Sequence, residues 1–450
     1  MRTPSNIPQP HPPADRVKYL FATVPAAGHV HPAVPIAREL VSRGHEVRWL
    51  TGRGFRDVVE STGAAFEPLL SSHDPADGLG FTERFPDRVG LEGLAGIRFD
   101  IKHLFLDEIP GQVDDLRRIL TSYEAAAVVA DAGFMGASVH HELGGPPWAT
   151  IGITPLAIPS RDTAPFGTGL PPIRGWRDRV RATALSIAQR AVMRDVEKHH
   201  TAVREGLGLS GSASGVFEAN ASPYLFLQSG TAMMDYPRSD LPPQVRYVGA
   251  LISSGPPSPE PSDWTALAAG RPIIVVTQGT VANETSTLIE PTLRALADED
   301  VFVVAVGTAP SDDVPANARQ LSYLPYDEIL PQASAMVTNG GYGGVQTALV
   351  HGVPVAVAGT TEDKPEVAAR VAWSGAGINL RTANPTEVAI RTAVRRLLAD
   401  TELRNGARRI ADDYAGHDAP KEAADLLEAM TSTNPAARPR TTTQTRTAAA

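Results

Sequence analysis

No cysteine occurs among the 450 residues, which excludes a disulfide framework, thiolate metal ligation and a cysteine nucleophile together. A basic surplus is also missing: 41 Lys and Arg stand against 50 Asp and Glu, a formal charge of -9. Binding through phosphate neutralisation needs the opposite balance, so nucleic acid is not an expected partner. The sequence holds no apolar run of about 18 residues, the length that spans a bilayer. Met1 to Asp15 is polar and proline-rich rather than the apolar core of a secretory signal, and a cytoplasmic protein without a membrane span is expected.

What is present is apolar material for more than one core, with 42% hydrophobic residues against 20% charged. From Val17 the order is an apolar run, a Gly/Pro/His turn, a segment with Val34, Ala37, Leu40 and Val41 at helical spacing closed by Gly44, and a second apolar run, "EVRWL". Strand, turn, helix, strand in that succession is a βαβ unit and implies a parallel sheet. The rhythm recurs at "AAAVVAD" (125–131), "WATIGI" (148–153) and "PYLFLQ" (223–228), with a long helical candidate from Trp176 to Arg204. "LISSGPPSPEPSDW" (251–264) breaks the composition as a linker would. Beyond it "RPIIVVTQG", "VFVVAVG", "ASAMVTNGG" and "VPVAVAG" restart the alternation, followed by helices at 386–400 and 403–430. The expected organisation is α/β: a tail at 1–15, a domain at 16–250, the linker at 251–264, a second domain at 265–404, a helical segment at 405–430 packing back across the domains, and a low-complexity tail at 431–450.

"TNGGYGGVQTALVHGVP" (338–354) sets Gly340, Gly341, Gly343 and Gly344 between a predicted strand end and a predicted helix. Unpaired N–H groups at a helix start, beside backbone without side chains, make an anion site suited to phosphate or diphosphate. The lysine and hydroxyl of GxxxxGK[ST] and the spacing of GxGxxG are both absent. Taken alone, such a glycine cluster is more often a tight turn than a ligand site.

Reading outward, "SYLPYDEILPQASAMVTNGGYGGVQTALVHGVPVAVAGTTEDKPEVAARVAWSGAGINL" (322–380) resembles the nucleotide-sugar signature of the inverting GT-B glycosyltransferases of macrolide, polyketide and plant secondary metabolism. "GHVHPAVPIARELVSRGHEV", "VVADAGFMGASVHHELGGPP" and "RYVGALI" extend the likeness along almost the whole ordered chain. The resemblance implies two doubly wound Rossmann-like domains facing across an interdomain cleft. It also implies a UDP- or dTDP-sugar donor, a small-molecule acceptor, and no bound metal or other cofactor. In this frame the donor diphosphate rests on Gly340, Gly341, Gly343 and Gly344, with Asn339 where members usually carry a histidine. Tyr323 stands where a tryptophan stacks on the base, and Leu324 beside it also falls on the donor side. Thr347 replaces a glutamate that many members place on the ribose hydroxyls, as in dTDP-sugar enzymes. Asp363 and Lys364 correspond to an Asp-Gln pair that holds the sugar, Gly279 and Thr280 to a second phosphate-contacting loop, and Gly28 also falls on the donor side. Asp363 reads equally as the N-cap of the helical run after Lys364-Pro365.

Moving a sugar onto a hydroxyl requires removal of the acceptor proton, work that suits a neutral imidazole. His31 precedes Pro32, a predicted first helical residue, and reads as a cap. His29 is predicted in the loop at the strand's carboxyl end, where open α/β sheets bind ligands. The resemblance aligns the family's base with His29 and its orienting aspartate with Asp131; a packing histidine and a helix cap are the plainer alternatives. The doublets Asp114-Asp115, Asp312-Asp313 and Asp412-Asp413 read as solvated faces rather than metal sites. "GLAGIRFDIKHLFLDEIPG" (93–111) offers Ile97, Phe99, Ile101, Leu104, Phe105 and Ile109 either as an apolar wall for the acceptor or as an ordinary packing face. Competing functions on the same fold are a noncatalytic nucleotide-sugar-binding or partner-activating protein and a sugar-nucleotide epimerase or phosphorylase. A nicotinamide dehydrogenase is disfavoured, because "PAAGHVHP" lacks the glycine fingerprint.

Overall fold

Runs such as Ala127–Asp131 and Ile273–Thr277 are buried at every position. A strand with no exposed side must lie in a sheet covered on both faces. The computed structural model, which describes residues 16–78, 81–210, 215–253, 255, 263–278, 287–307 and 314–433, arranges these runs in two wholly parallel sheets. The first comprises β1 (Lys18–Ala22), β2 (Glu46–Thr51), β3 (Ala65–Pro68), β4 (Ala127–Asp131), β5 (Trp148–Gly152), β6 (Leu225–Gln228) and β7 (Val245–Tyr247), in the order β3-β2-β1-β4-β5-β6-β7. The second comprises β8 (Ile273–Thr277), β9 (Phe302–Val306), β10 (Ala318–Leu321), β11 (Ala335–Thr338), β12 (Val355–Val357) and β13 (Gly377–Asn379), in the order β10-β9-β8-β11-β12-β13. Both are doubly wound, as the resemblance implies.

The strand order reverses between β1 and β4, paired Phe21↔Val129 and Ala22↔Ala130, and again between β8 and β11, paired Thr277↔Thr338. Connections leaving neighbouring strands toward opposite faces open a crevice at the carboxyl ends of the strands. Those two crevices fix where the site is built.

Each sheet carries a core on either face. Tyr19, Phe21, Trp49 and Val129 pack with Ile36 and Leu40 of helix Ala33–Ser42, while Leu20, Leu50, Val128 and Ala130 pack on the other side with Leu116, Ile119 and Phe134. In the second sheet Val275, Val304 and Met336 meet Val345, Leu349 and Val371, and Ile274, Val303 and Val337 meet Leu293, Ile390 and Leu397. Each such side chain, fully removed from water, contributes about 1.5–3 kcal/mol before the entropy of ordering is subtracted.

Two features join the sheets. The connection from β6 to β7 sends Met234 into the second sheet's core. Beside it Asp235 Oδ1 accepts from Arg370 Nε at 2.7 Å, and Arg370 Nη1 donates to Glu366 Oε2 at 2.7 Å. All three are buried, and the guanidinium lies over the Tyr236 ring. Glu366 Oε1 also accepts from the backbone of Gly167 and Gly169, each at 2.8 Å, so the triad is satisfied by hydrogen bonds as well as charge. The last helix, Ala419–Thr433, crosses back to the first sheet, where Ala423, Ala424 and Leu427 join its core.

Several local expectations change. The helical candidate at 176–204 is two helices, Trp176–Val192 and Arg194–Gly206, broken at Met193. The C-terminal helical stretch is three: Glu387–Ala399, Thr401–Tyr414 and Ala419–Thr433, so the last helix runs three residues into the expected tail. Pro32 is the N-cap of helix Ala33–Ser42 rather than its first residue, and His31 instead closes the preceding turn. Asp115 is not solvated: it is fully buried and accepts from the backbone of Leu70, Ser71 and Ser72, holding the chain that leaves β3. Asp312 and Asp313 lie outside the described residues.

Candidate active site

β1 ends at Ala22, and the chain turns through Pro25 into one helical turn, Ala27–Val30, that carries His29. His29 therefore sits in a short helix rather than in the loop expected, still at the carboxyl end of β1. β4 ends on Asp131, across the order reversal. His29 Nδ1 and Asp131 Oδ1 are 2.6 Å apart. Asp131 also accepts from Val24 N at 2.8 Å and Gly133 N at 2.7 Å. A carboxylate already holding two N–H groups takes Nδ1–H from the imidazole as a third, so Nε2 is the basic nitrogen. Asn220 Nδ2 donates to the carbonyls of Asp131 and Ala132 and holds the turn after β4; no sequence pattern flags it. Burial pulls the His29 pKa down, but the charge and hydrogen bond of Asp131, joined by the charge of Asp363, outweigh it and leave the value above normal.

β11 ends at Thr338, and helix Tyr342–Val350 follows the glycines. The four are not equivalent. Gly340 has φ +93°, and a Cβ there would stand 2.5 Å from Val357 Cγ1, so the fold itself requires glycine. A Cβ at Gly343 would meet nothing within 4 Å, and one at Gly341 only Asn339 Oδ1 at 4.0 Å. Packing gives no reason for those two to be bare; an approaching ligand would. A Cβ at Gly344 would make ordinary contact with Tyr326. Asn339 bridges the two loops at the reversal, donating to the carbonyl of Gln278 and accepting from Gly341 N. Tyr342 Oη donates to Ser229 O at 2.9 Å, tying this helix start to the first sheet.

Asp363 is the N-cap residue of helix Lys364–Trp373, yet its carboxylate makes no capping hydrogen bond. Burial pushes its pKa to about 6, against the opposing pull of Lys364; the charges of Asp363 and His29 each favour the ionised form of the other. The charges of the donor-side and acceptor-side candidates thus act on one another. The Lys364 ammonium pairs with Glu362, and its stem runs over Gly340 and Gly359. Thr347 is buried and donates to Gly343 O at 2.9 Å. Tyr323 is 45% exposed, Leu324 is buried in the second sheet's core, and a Cβ on Gly28 would face open space. Gly279 and Thr280 lie outside the described residues.

The 93–111 segment divides between the two roles considered. Ile109 is buried in the core and Ile97 is exposed. Between helices Gly93–Asp100 and Ile109–Leu120, residues Ile101–Leu106 form a π-helical turn. That geometry recurs at functional sites, and here it brings the Phe105 ring to 6.4 Å from His29. Among the described residues no group of three or more His, Asp or Glu is arranged to hold a metal ion.

Residues 19–153 match the glycosyltransferase family 28 N-terminal domain, and residues 291–430 match the erythromycin biosynthesis protein CIII-like C-terminal domain. The chain is 46% identical over 418 residues to 4'-demethylrebeccamycin synthase of Lentzea aerocolonigenes, covering 92% of this chain and 99% of that one. It is 36% identical over 438 residues to UDP-glycosyltransferase 2 of Phaeomoniella chlamydospora, covering 91% and 95% respectively. The crystal structure of CalG4, the calicheamicin glycosyltransferase, superposes with a TM-score of 0.71 at 21% identity, covering 94% of this chain and 100% of that one.

Proposed function

The chain belongs to the GT-B glycosyltransferases, and from that premise we propose that it moves a sugar from UDP or dTDP to a hydroxyl of a small hydrophobic natural product, with inversion. The observation that carries this reading is the pairing of His29 with Asp131 at one strand-order reversal, electrostatically coupled to Asp363 beside the bare helix start at the other. Relatives named for rebeccamycin and for UDP support the acceptor class and the donor type.

In the proposed reaction His29 Nε2 takes the proton of the acceptor hydroxyl as its oxygen bonds to the anomeric carbon. Asp131 fixes the tautomer and stabilises the imidazolium that forms, as the orienting acid does in a triad. The bond from the anomeric carbon to the diphosphate breaks on the opposite side, and its electron pair leaves with the nucleotide diphosphate. The N–H groups and dipole of helix Tyr342–Val350 receive that charge, with Gly341 and Gly343 allowing close approach. Asp363 accepts hydrogen bonds from the sugar hydroxyls, and Tyr323 supplies the flat surface for the base. Thr347 is neutral and buried and brings no carboxylate to grip the ribose hydroxyls as a glutamate does, which favours a donor lacking the 2'-OH. One displacement on an α-linked donor gives a β-glycoside, and no metal is required.

The test is mass spectrometry of UDP- and dTDP-sugars with phenolic and macrolide acceptors, using wild type and His29→Ala, with and without EDTA. A His29-dependent mass gain of one sugar, retained in EDTA, is expected. Donor binding without product on any acceptor would instead favour a noncatalytic nucleotide-sugar-binding protein.

A further inference from the structure

Helix Trp176–Val192 buries a single residue, Ala182. Its exposed positions include three apolar side chains left largely in water: Trp176 at 72%, Val180 at 61% and Ile187 at 64%. At about 100° per residue, Ile187 and Val180 lie about 20° and 40° round from Trp176, so the three form one outward stripe. The buried residue is on the opposite side. Arg179 and Arg190 flank the stripe on one edge and Arg177 on the other, with Arg181 further round the helix behind Arg177, all four exposed. None of the four joins an ion pair among the described residues, whereas arginines such as Arg88, Arg204 and Arg395 are paired with carboxylates. Arg177 lies over the Trp176 ring instead. In a chain of net charge -9 this is a concentrated, unneutralised basic ridge around an apolar crest.

We propose that this helix face docks on an anionic lipid bilayer, lying in the plane of the interface. An apolar stripe between two rows of arginine is the pattern of an interfacial helix. The stripe enters the headgroup boundary, the guanidinium groups spread to phosphates on either side, and tryptophan favours that depth. The helix is too short and too charged to span, and no helix among the described residues is long and apolar enough to cross a membrane. A second copy of this chain is a poor occupant, because a two-fold contact would bring arginine rows against each other.

The test uses the full chain with vesicles of phosphatidylglycerol mixed equally with phosphatidylcholine, and with phosphatidylcholine alone. Of the five tryptophans, Trp176 is the exposed one, so its fluorescence should shift to the blue on anionic vesicles only, and Trp176→Phe should lose that shift. Co-sedimentation should be abolished at about 1 M salt, where the Debye length is about 3 Å. Arg177→Glu with Arg181→Glu, or Ile187→Glu alone, should weaken partitioning by roughly tenfold or more while leaving thermal unfolding unchanged. Absence of sedimentation with anionic vesicles, equal partitioning of wild type and variants, or a wild-type dimer that Ile187→Glu makes monomeric would each overturn the proposal.

Discussion

His29 Nδ1 and Asp131 Oδ1 stand 2.6 Å apart although 102 positions separate them in the chain. Replacing His29 by alanine is expected to cost about 10²–10⁴ in turnover, the usual loss on removing a positioned base. A base works only when deprotonated. The raised His29 pKa therefore predicts that kcat/KM falls with decreasing pH from above about 6.5. Asp131→Asn removes the largest of the influences that raise it, so the acid limb should move to lower pH while the plateau rate drops. Rate profiles against pH decide this, and a limb unmoved by Asp131→Asn would remove the orienting role.

The glycines predict a split between binding and stability. Gly343→Val introduces a side chain into open space, so thermal unfolding should change little while affinity for nucleotide diphosphate falls by tenfold or more. Gly340→Ala meets Val357 in a left-handed backbone conformation and should destabilise the fold by about 1–3 kcal/mol. Calorimetric titration with UDP and dTDP, beside thermal melts, separates the two. Equal effects at both positions would contradict the account of the bare helix start.

Arg370 holds two buried carboxylates from different parts of the chain, Asp235 and Glu366. Arg370→Ala leaves both without their cation and should cost about 3–5 kcal/mol. Arg370→Lys should recover little, because one ammonium cannot reproduce the fork that reaches both partners. Denaturant unfolding of the three proteins measures the difference.

Acid should weaken the fold through two buried histidines. His140 and His200 lack hydrogen-bond partners at Nδ1 and at both ring nitrogens respectively. Burial, helped by Arg117 at His140 and by Arg204 at His200, lowers each pKa to about 4. The unfolded chain protonates near 6.5 while the folded one resists, so stability is lost as pH falls from about 6.5 toward about 4, by on the order of 2 kcal/mol for each histidine. Melting temperatures against pH should fall less steeply for His200→Leu than for wild type, and parallel curves would contradict the assignment.

The central strands were legible in the sequence because they are buried on both faces, and an unbroken β-branched run such as "IIVVT" needs no partner to be recognised, whereas the short, partly exposed β3, β7, β10 and β13 were not legible as strands. The elements that misled are those set by tertiary contact. Asp115 reads as solvated until the chain leaving β3 folds over it, 43 to 45 positions away. Pro32 reads as a first helical residue because sequence alone does not reveal which residue donates the next hydrogen bond. Within the candidate site, the glycine cluster was visible as a cluster, but only packing separates Gly340, which the fold needs, from Gly341 and Gly343, which it does not. Asn220 and the Arg370 triad carry no local pattern: the Asp235–Arg370 bond joins residues 135 positions apart. The approach of Phe105 to His29 depends on a π-turn that sequence periodicity does not encode.

The closing helix sets an order of events during synthesis. Ala419–Thr433 completes the first sheet's core: Tyr19 Oη meets Thr431, Arg43 meets Asp425 and His45 meets Glu428, across the helix that follows β1. The strands of that sheet have all been translated once Tyr247 is made, yet the helix that seals one of their faces is still to be translated. At about 5–20 residues per second the interval is roughly 10–40 s. For that time the nascent first half presents an unsealed apolar face to its surroundings. A truncation ending before Ala419 should consequently be recovered as aggregate rather than as a shorter soluble protein.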